Sequence, residues 1–181
     1  MKRATVRVVS VTFGELVNAW LQDPAGARAK WKGPVLVQRM TSGATDAAGD
    51  DDWAPTRAAF VMSKPESSGA RVHLIAKAVG KPNAFPMGVT IGRVGSNDIE
   101  LDDASVSRFH AWLQFDERTK VWAVTDADSK NGTKVAGAET GPRQRVPLTD
   151  HTELRIGNVY LTFLLPESLW AIVLANPPAK K

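Results

Sequence analysis

The chain contains no cysteine, so disulfides and thiolate metal centres are excluded, which fits a reducing compartment. No stretch approaches the roughly 18 to 20 apolar residues that cross a bilayer. The basic start, Met1 to Arg7, leads into no long apolar run and no small-residue cleavage site. A cytoplasmic protein without a membrane partner is therefore expected. No block of Lys and Arg marks a nucleic-acid arm: the net charge of +4 is spread, with 9 Lys/Arg against 7 Asp/Glu up to residue 70 and 14 against 12 beyond it. Four enzyme signatures are missing: Gly-x-x-x-x-Gly-Lys, Gly-x-Gly-x-x-Gly, His-Glu-x-x-His and Gly-x-Ser-x-Gly. An enzyme is not expected, and neither is a cofactor or a metal. The acidic run Asp50-Asp51-Asp52 reads as a solvated loop rather than a cation site.

What remains is an ordinary soluble composition. Of 181 residues, 43% are apolar and 23% charged, enough to bury a core. That length suits one domain, or a domain of roughly 100 residues with an extension. Residues 1–70 read as an N-terminal α/β extension. A short strand from Arg7 to Val11 meets the capping box Thr12-Phe13-Gly14-Glu15, in which each side chain satisfies the other's backbone N–H. Phe13, Leu16, Val17, Trp20 and Leu21 then share one helical face, and Asp23-Pro24 ends the helix. A strand follows at 34–38, then a polar loop at 41–55, a strand at 58–62 and a turn at 63–69.

From residue 71 the pattern becomes short apolar runs separated by Gly, Pro, Asn and Asp. Runs at 72–79, 89–91, 111–115, 121–125, 145–148, 153–156 and 159–165 read as strands of a mainly β sandwich or barrel. The run at 159–165 is apolar on both alternating sets, so it is expected to be covered on both faces. Residues 166–181 read as a short helix, with Leu169, Ile172 and Val173 on one face, and a frayed tail. This helix is expected to pack on the same side as the N-terminal one.

Three polar loops carry the chemistry. They contain Gly92-Arg93, Ser107-Arg108-Phe109-His110, and Lys130-Asn131-Gly132-Thr133. In a sandwich such loops gather at the ends of the sheets. Two guanidiniums, an ammonium, hydroxyls and an amide suit a phosphate dianion and the backbone around it. The order Gly-Arg, Ser-x-x-His, Asn-Gly-Thr resembles the forkhead-associated (FHA) signature. Asn97-Asp98-Ile99, Asp126 before Ser129, and Leu154-Arg155-Ile156-Gly157 also match. The resemblance covers residues 71–165, and the flanks resemble additions on bacterial stand-alone FHA proteins.

This resemblance implies an eleven-stranded β-sandwich that binds phosphothreonine peptides through loops at one end. Carried over by position, it implies that Arg93 pairs with the phosphate and Ser107 donates its hydroxyl to a phosphate oxygen. Arg108 adds a phosphate or peptide contact, and Asn131 bonds the ligand backbone. Lys130 stands where the family commonly has Thr or Ser, and its charge still favours phosphate. His110 braces the Ser107 loop, Gly92 permits close approach or a turn, and Gly132 and Thr133 shape the third loop. The implied function is a phosphothreonine-dependent adaptor in Ser/Thr kinase signalling, its partner a phosphorylated kinase or kinase substrate. An alternative is a phospho-independent scaffold or dimerisation module. A third reading has Thr41, Thr45 or Thr56, once phosphorylated, supplying a ligand to the same or a second molecule.

Overall fold

The computed structural model describes residues 10–39, 69–80 and 85–176. The expected strand at 58–62, the loop at 41–55 with Thr41, Thr45 and Asp50-Asp51-Asp52, Thr56 after it, and the tail from 177 lie outside the described residues. Among the described residues the strands are β1 (Ser10–Thr12), β2 (Val35–Gln38), β3 (Arg71–Leu74), β4 (Val89–Gly92), β5 (Ile99–Glu100) and β6 (Ala111–Asp116). They continue with β7 (Val121–Asp126), β8 (Thr133–Val135), β9 (Ala138–Glu139), β10 (Arg145–Leu148), β11 (Glu153–Ile156) and β12 (Val159–Leu164). The helices are α1 (Phe13–Gln22), α2 (Pro24–Lys30) and α3 (Pro166–Ala175). No helix among the described residues is long and apolar enough to cross a membrane.

The strands form the expected mainly β sandwich. One sheet has seven strands in the order β1-β3-β2-β12-β11-β8-β9, and the other five, β10-β7-β6-β4-β5. Twelve strands are thus present among the described residues, ten of them within 71–165, close to the eleven that the resemblance implied for that stretch. Pairings are antiparallel except β4 with β5. β2 comes from the first 70 residues yet lies between β3 and β12, so the seven-stranded sheet is shared across the boundary expected at residue 70.

Strand alternation divides the apolar residues into two cores. Between the sheets lie Leu36, Ile91, Leu113, Leu154, Leu161 and Phe163. On the outer face of the seven-stranded sheet, Val35, Val37, Val72 and Leu74 meet Phe13, Leu16 and Trp31, and Leu169, Trp170 and Val173 of α3. β12 serves both, sending Phe163 inward and Leu164 outward, as its double apolar pattern predicts. The two terminal helices do pack together, with the Trp20 and Trp170 rings 5.0 Å apart and the Arg28 guanidinium 5.1 Å from the Trp20 ring.

The capping box forms: Glu15 N–H donates to Thr12 Oγ1 at 3.2 Å, and Thr12 N–H to Glu15 Oε2 at 2.7 Å. Two expectations need correction here, Leu21 as a core residue and the length of the strand at 72–79, while the helix stop at Asp23-Pro24 holds. Leu21 is 54% exposed and leaves the buried face. Asp23-Pro24 ends α1 but also starts α2, because Asp23 caps Gly26 N–H and Pro occupies the first helical turn, where its missing N–H costs nothing. The strand expected at 72–79 stops at Leu74. Beyond it, Ala78 N–H and the Lys77 ammonium turn to the buried carboxylate of Asp98, at 2.9 and 2.8 Å. Burial alone would push the Asp98 carboxyl up, but the bonds from Lys77, Thr90 and Ala78 outweigh it and hold the group below the ordinary carboxylate range. That anchor fixes the start of β4, which delivers Arg93.

Candidate ligand-binding site at one end of the sandwich

Gly92 ends β4 under tight packing. A Cβ there would lie 2.3 Å from the Arg108 carbonyl oxygen and 2.6 Å from Asn97 Nδ2. Close approach, rather than a turn conformation, is therefore what requires glycine at 92. Asn97 Nδ2 donates to the Val94 and Arg108 carbonyls at 2.9 and 2.7 Å. Arg93 N–H donates to Ser107 O at 3.0 Å. The loops that carry Arg93 and Arg108 are thus held side by side, and both side chains project into solvent.

The third loop joins them. Lys130 N–H donates to Ser107 Oγ at 3.1 Å, and Asn131 Nδ2 to Ser105 O at 2.7 Å. Gly132 has φ +68°, a left-handed backbone that glycine adopts without strain. Its carbonyl accepts from His110 Nε2 at 3.0 Å. On the other side of the ring, His110 Nδ1 accepts from Ser107 N–H at 3.0 Å. A backbone N–H can only donate and a carbonyl can only accept, so these two bonds dictate a neutral ring with its hydrogen on Nε2. Burial lowers the His110 pKa, and the Gly132 carbonyl and Asp126 partly oppose that.

Asp126, at the end of β7, stiffens the third loop from below. It accepts from Ser129 N–H and Oγ, both at 2.8 Å, and from the buried Thr133 hydroxyl at 2.6 Å. Burial would raise its pKa, yet the Thr133 and Ser129 bonds prevail and keep the carboxylate ionised. Gly92, Arg93, Ser107, Arg108, His110, Lys130, Asn131, Gly132 and Thr133 are all brought to this one end. Arg93, Arg108, Lys130 and Asn131 are exposed, while His110 and Thr133 are buried beneath them.

Residues 89–157 match the FHA domain family. A Corynebacterium diphtheriae protein named oxoglutarate dehydrogenase inhibitor is 34% identical over 132 residues, spanning 71% of this chain and 82% of its own length. The chain belongs to the FHA-domain family. A Corynebacterium efficiens protein of the same name is 32% identical over 135 residues, spanning 74% of this chain and 84% of its own. Among solved structures, Mycobacterium tuberculosis EmbR in complex with low affinity phosphopeptide is 35% identical over 42% of this chain and 19% of that one, with a TM-score of 0.38.

Within this FHA chain the matched stretch contains every site residue predicted from sequence. Sequence reasoning missed one participant, Ser105. Its hydroxyl donates to Asp103 Oδ1 at 2.5 Å and accepts from Asn158 N–H at 2.7 Å, while its carbonyl holds Asn131. The local signal was available: Asp103-x-Ser105 is a short side-chain-to-backbone turn, with Ser105 N–H 2.8 Å from Asp103 Oδ1. The link to Asn131 and Asn158 is tertiary and has no sequence signal.

Proposed function

We propose that this FHA chain is an adaptor that binds a phosphothreonine-containing protein, a Ser/Thr kinase or its substrate, through Arg93, Ser107, Arg108, Lys130 and Asn131. One observation carries the reading. Among the described residues, Arg93, Arg108 and Lys130 form no ion pair, and they differ from other such cations, Arg28, Arg118 and Arg143 among them, in standing together on adjoining loops that are bonded to one another. Three uncompensated cations on braced, adjoining loops favour an anion. Phosphate offers the charge and geometry that guanidinium groups bind best, and ionised hydrogen bonds are roughly twice as strong as neutral ones. Binding rather than acid–base catalysis is also favoured by His110, whose two ring nitrogens are both committed to backbone groups.

The test is titration of the purified chain with phosphothreonine, phosphoserine and unphosphorylated peptide libraries. Phosphothreonine peptides are expected to bind, and Arg93→Ala to weaken them about 100-fold, the loss of one bidentate charged contact. A preference for phosphothreonine over phosphoserine is expected to be modest, because one methyl is worth about 1 kcal/mol. Equal binding of phosphorylated and unphosphorylated libraries would sink the reading. The corynebacterial relatives' name directs a further assay, inhibition of an oxoglutarate dehydrogenase. Inhibition that survives Arg93→Ala would favour the phospho-independent alternative.

A further inference from the structure

Ser105 ties two loops of the candidate site to the turn between β11 and β12. Asp103 Oδ1 accepts from both its N–H and its hydroxyl, at 2.8 and 2.5 Å. Its Oγ accepts from Asn158 N–H at 2.7 Å, which brings in the β11–β12 turn. Gly157 lies against it so closely that a Cβ there would be 2.6 Å from Ser105 O. Fixed from these sides, the Ser105 carbonyl accepts from Asn131 Nδ2 at 2.7 Å. A carbonyl only accepts, so the nitrogen of the Asn131 amide must face it, and the orientation of that exposed amide is set. One amide hydrogen is spent on Ser105. Asn131 Oδ1 lies on the other side, and among the described residues no donor reaches it.

We propose that Ser105 is a positioning residue for Asn131, turning Asn131 Oδ1 outward to accept a backbone N–H from the bound phosphopeptide. The inference rests on the phosphopeptide reading and narrows it. The ligand residue opposite Asn131 must carry an N–H, so proline is excluded there. Asp103 and the 157–158 turn act on the ligand through Ser105, although neither belongs to the loops that carry Arg93 or Lys130.

Amide-to-ester peptides, substituted one at a time at the residues flanking the phosphothreonine, test the idea. An ester lacks the N–H. One position is expected to cost wild-type binding roughly tenfold, a share of a hydrogen bond to an exposed amide. The same ester is expected to cost nothing in Asn131→Ala and clearly less in Ser105→Ala. Ser105→Ala alone is expected to weaken the parent peptide about threefold to tenfold, and not at all on top of Asn131→Ala. Asp103→Ala, which frees Ser105 from its other side, is expected to act in the same direction. An ester penalty that persists undiminished in Ser105→Ala, or additive losses in the double variant, would overturn the proposal. A second arm needs no ligand: slowed hydrogen exchange of the Asn131 side-chain amide in the free protein, relieved in Ser105→Ala. If wild type binds no phosphopeptide, the functional reading fails while this arm still decides the positioning. Rapid exchange in the wild type would refute it.

Discussion

His110 and His73 are both buried, at 0% and 1% exposure, and each has both ring nitrogens engaged. The difference lies in what engages them. His110 is held by the backbone of two loops, Ser107 N–H and Gly132 O. His73 sits within β3 between two neighbouring strands, 2.6 Å from Ser10 Oγ and 2.9 Å from Gln38 Oε1. A hydroxyl can rotate and offer a lone pair, so a protonated His73 loses no hydrogen bond, and what opposes its proton is desolvation together with the nearby Arg71 charge. A backbone N–H cannot reverse. Protonating His110 Nδ1 sets two donors face to face and releases the loop that carries Ser107. The same residue type thus makes an adaptable joint at the sheet edge and a fixed one beneath the candidate site.

The sharpest way to break this comparison is His110→Ala. It leaves Ser107 N–H and the Gly132 carbonyl without their partner and opens a cavity, and a cost of about 3 kcal/mol is expected in denaturant unfolding. Phosphopeptide affinity is expected to fall at least tenfold as the two loops separate. His73→Ala is expected to cost about 2 kcal/mol and to leave affinity unchanged. If both variants lost binding equally, the distinction between joint and brace would fail.

Acid sharpens the comparison further. Burial lowers the His73 pKa from 6.5 to about 4, with Arg71 adding to the effect. The unfolded chain therefore takes up this proton first as pH falls. Stability is full above pH 6.5 and is lost progressively down to about pH 4, an interval worth roughly 3 kcal/mol. Unfolding followed across that window is expected to show the loss in wild type and a flatter profile in His73→Ala. An unchanged slope in the variant would assign the titration elsewhere.

Next in size is Gly92→Ala. It strikes the same loops as His110→Ala but by crowding, since the new methyl meets the Arg108 carbonyl backbone, which cannot swing aside. A cost of about 1 to 3 kcal/mol and a parallel loss of phosphopeptide affinity are expected. Retained affinity would show that the spacing of Arg93 and Arg108 is not critical.

How much of this was legible depended on the length of the signal. β10 and β11 fall where their apolar patterns place them, and α1 begins at its capping box. β5, β8 and β9 have two or three residues, too few for alternation to show. α2 has seven, and its start at Asp23-Pro24 carries the same residues that stop a helix. The strand at 72–79 was overread because Asp98, twenty residues on from Ala78, captures its N–H. The site loops were legible because Gly-Arg, Ser-x-x-His and Asn-Gly-Thr are local motifs. Ser105 was not, because its contacts span 26 and 53 residues.

The smallest effect is expected in a region that has neither kind of histidine joint. Leu21 lies on the helical face that the sequence pattern marked as core, yet it is 54% exposed, while Trp20 beside it packs at a tilt against Trp170. Little apolar area leaves water there on folding, so Leu21→Ser should change stability by less than about 0.5 kcal/mol. Phosphopeptide affinity should not change either, because α1 packs on the outer face of the seven-stranded sheet and, among the described residues, no bond to it comes from the site loops. Capture of a protein partner is the informative measurement. If Leu21→Ser weakens capture while leaving peptide affinity intact, the helical layer is itself a contact surface, and the chain binds through two separate regions rather than one.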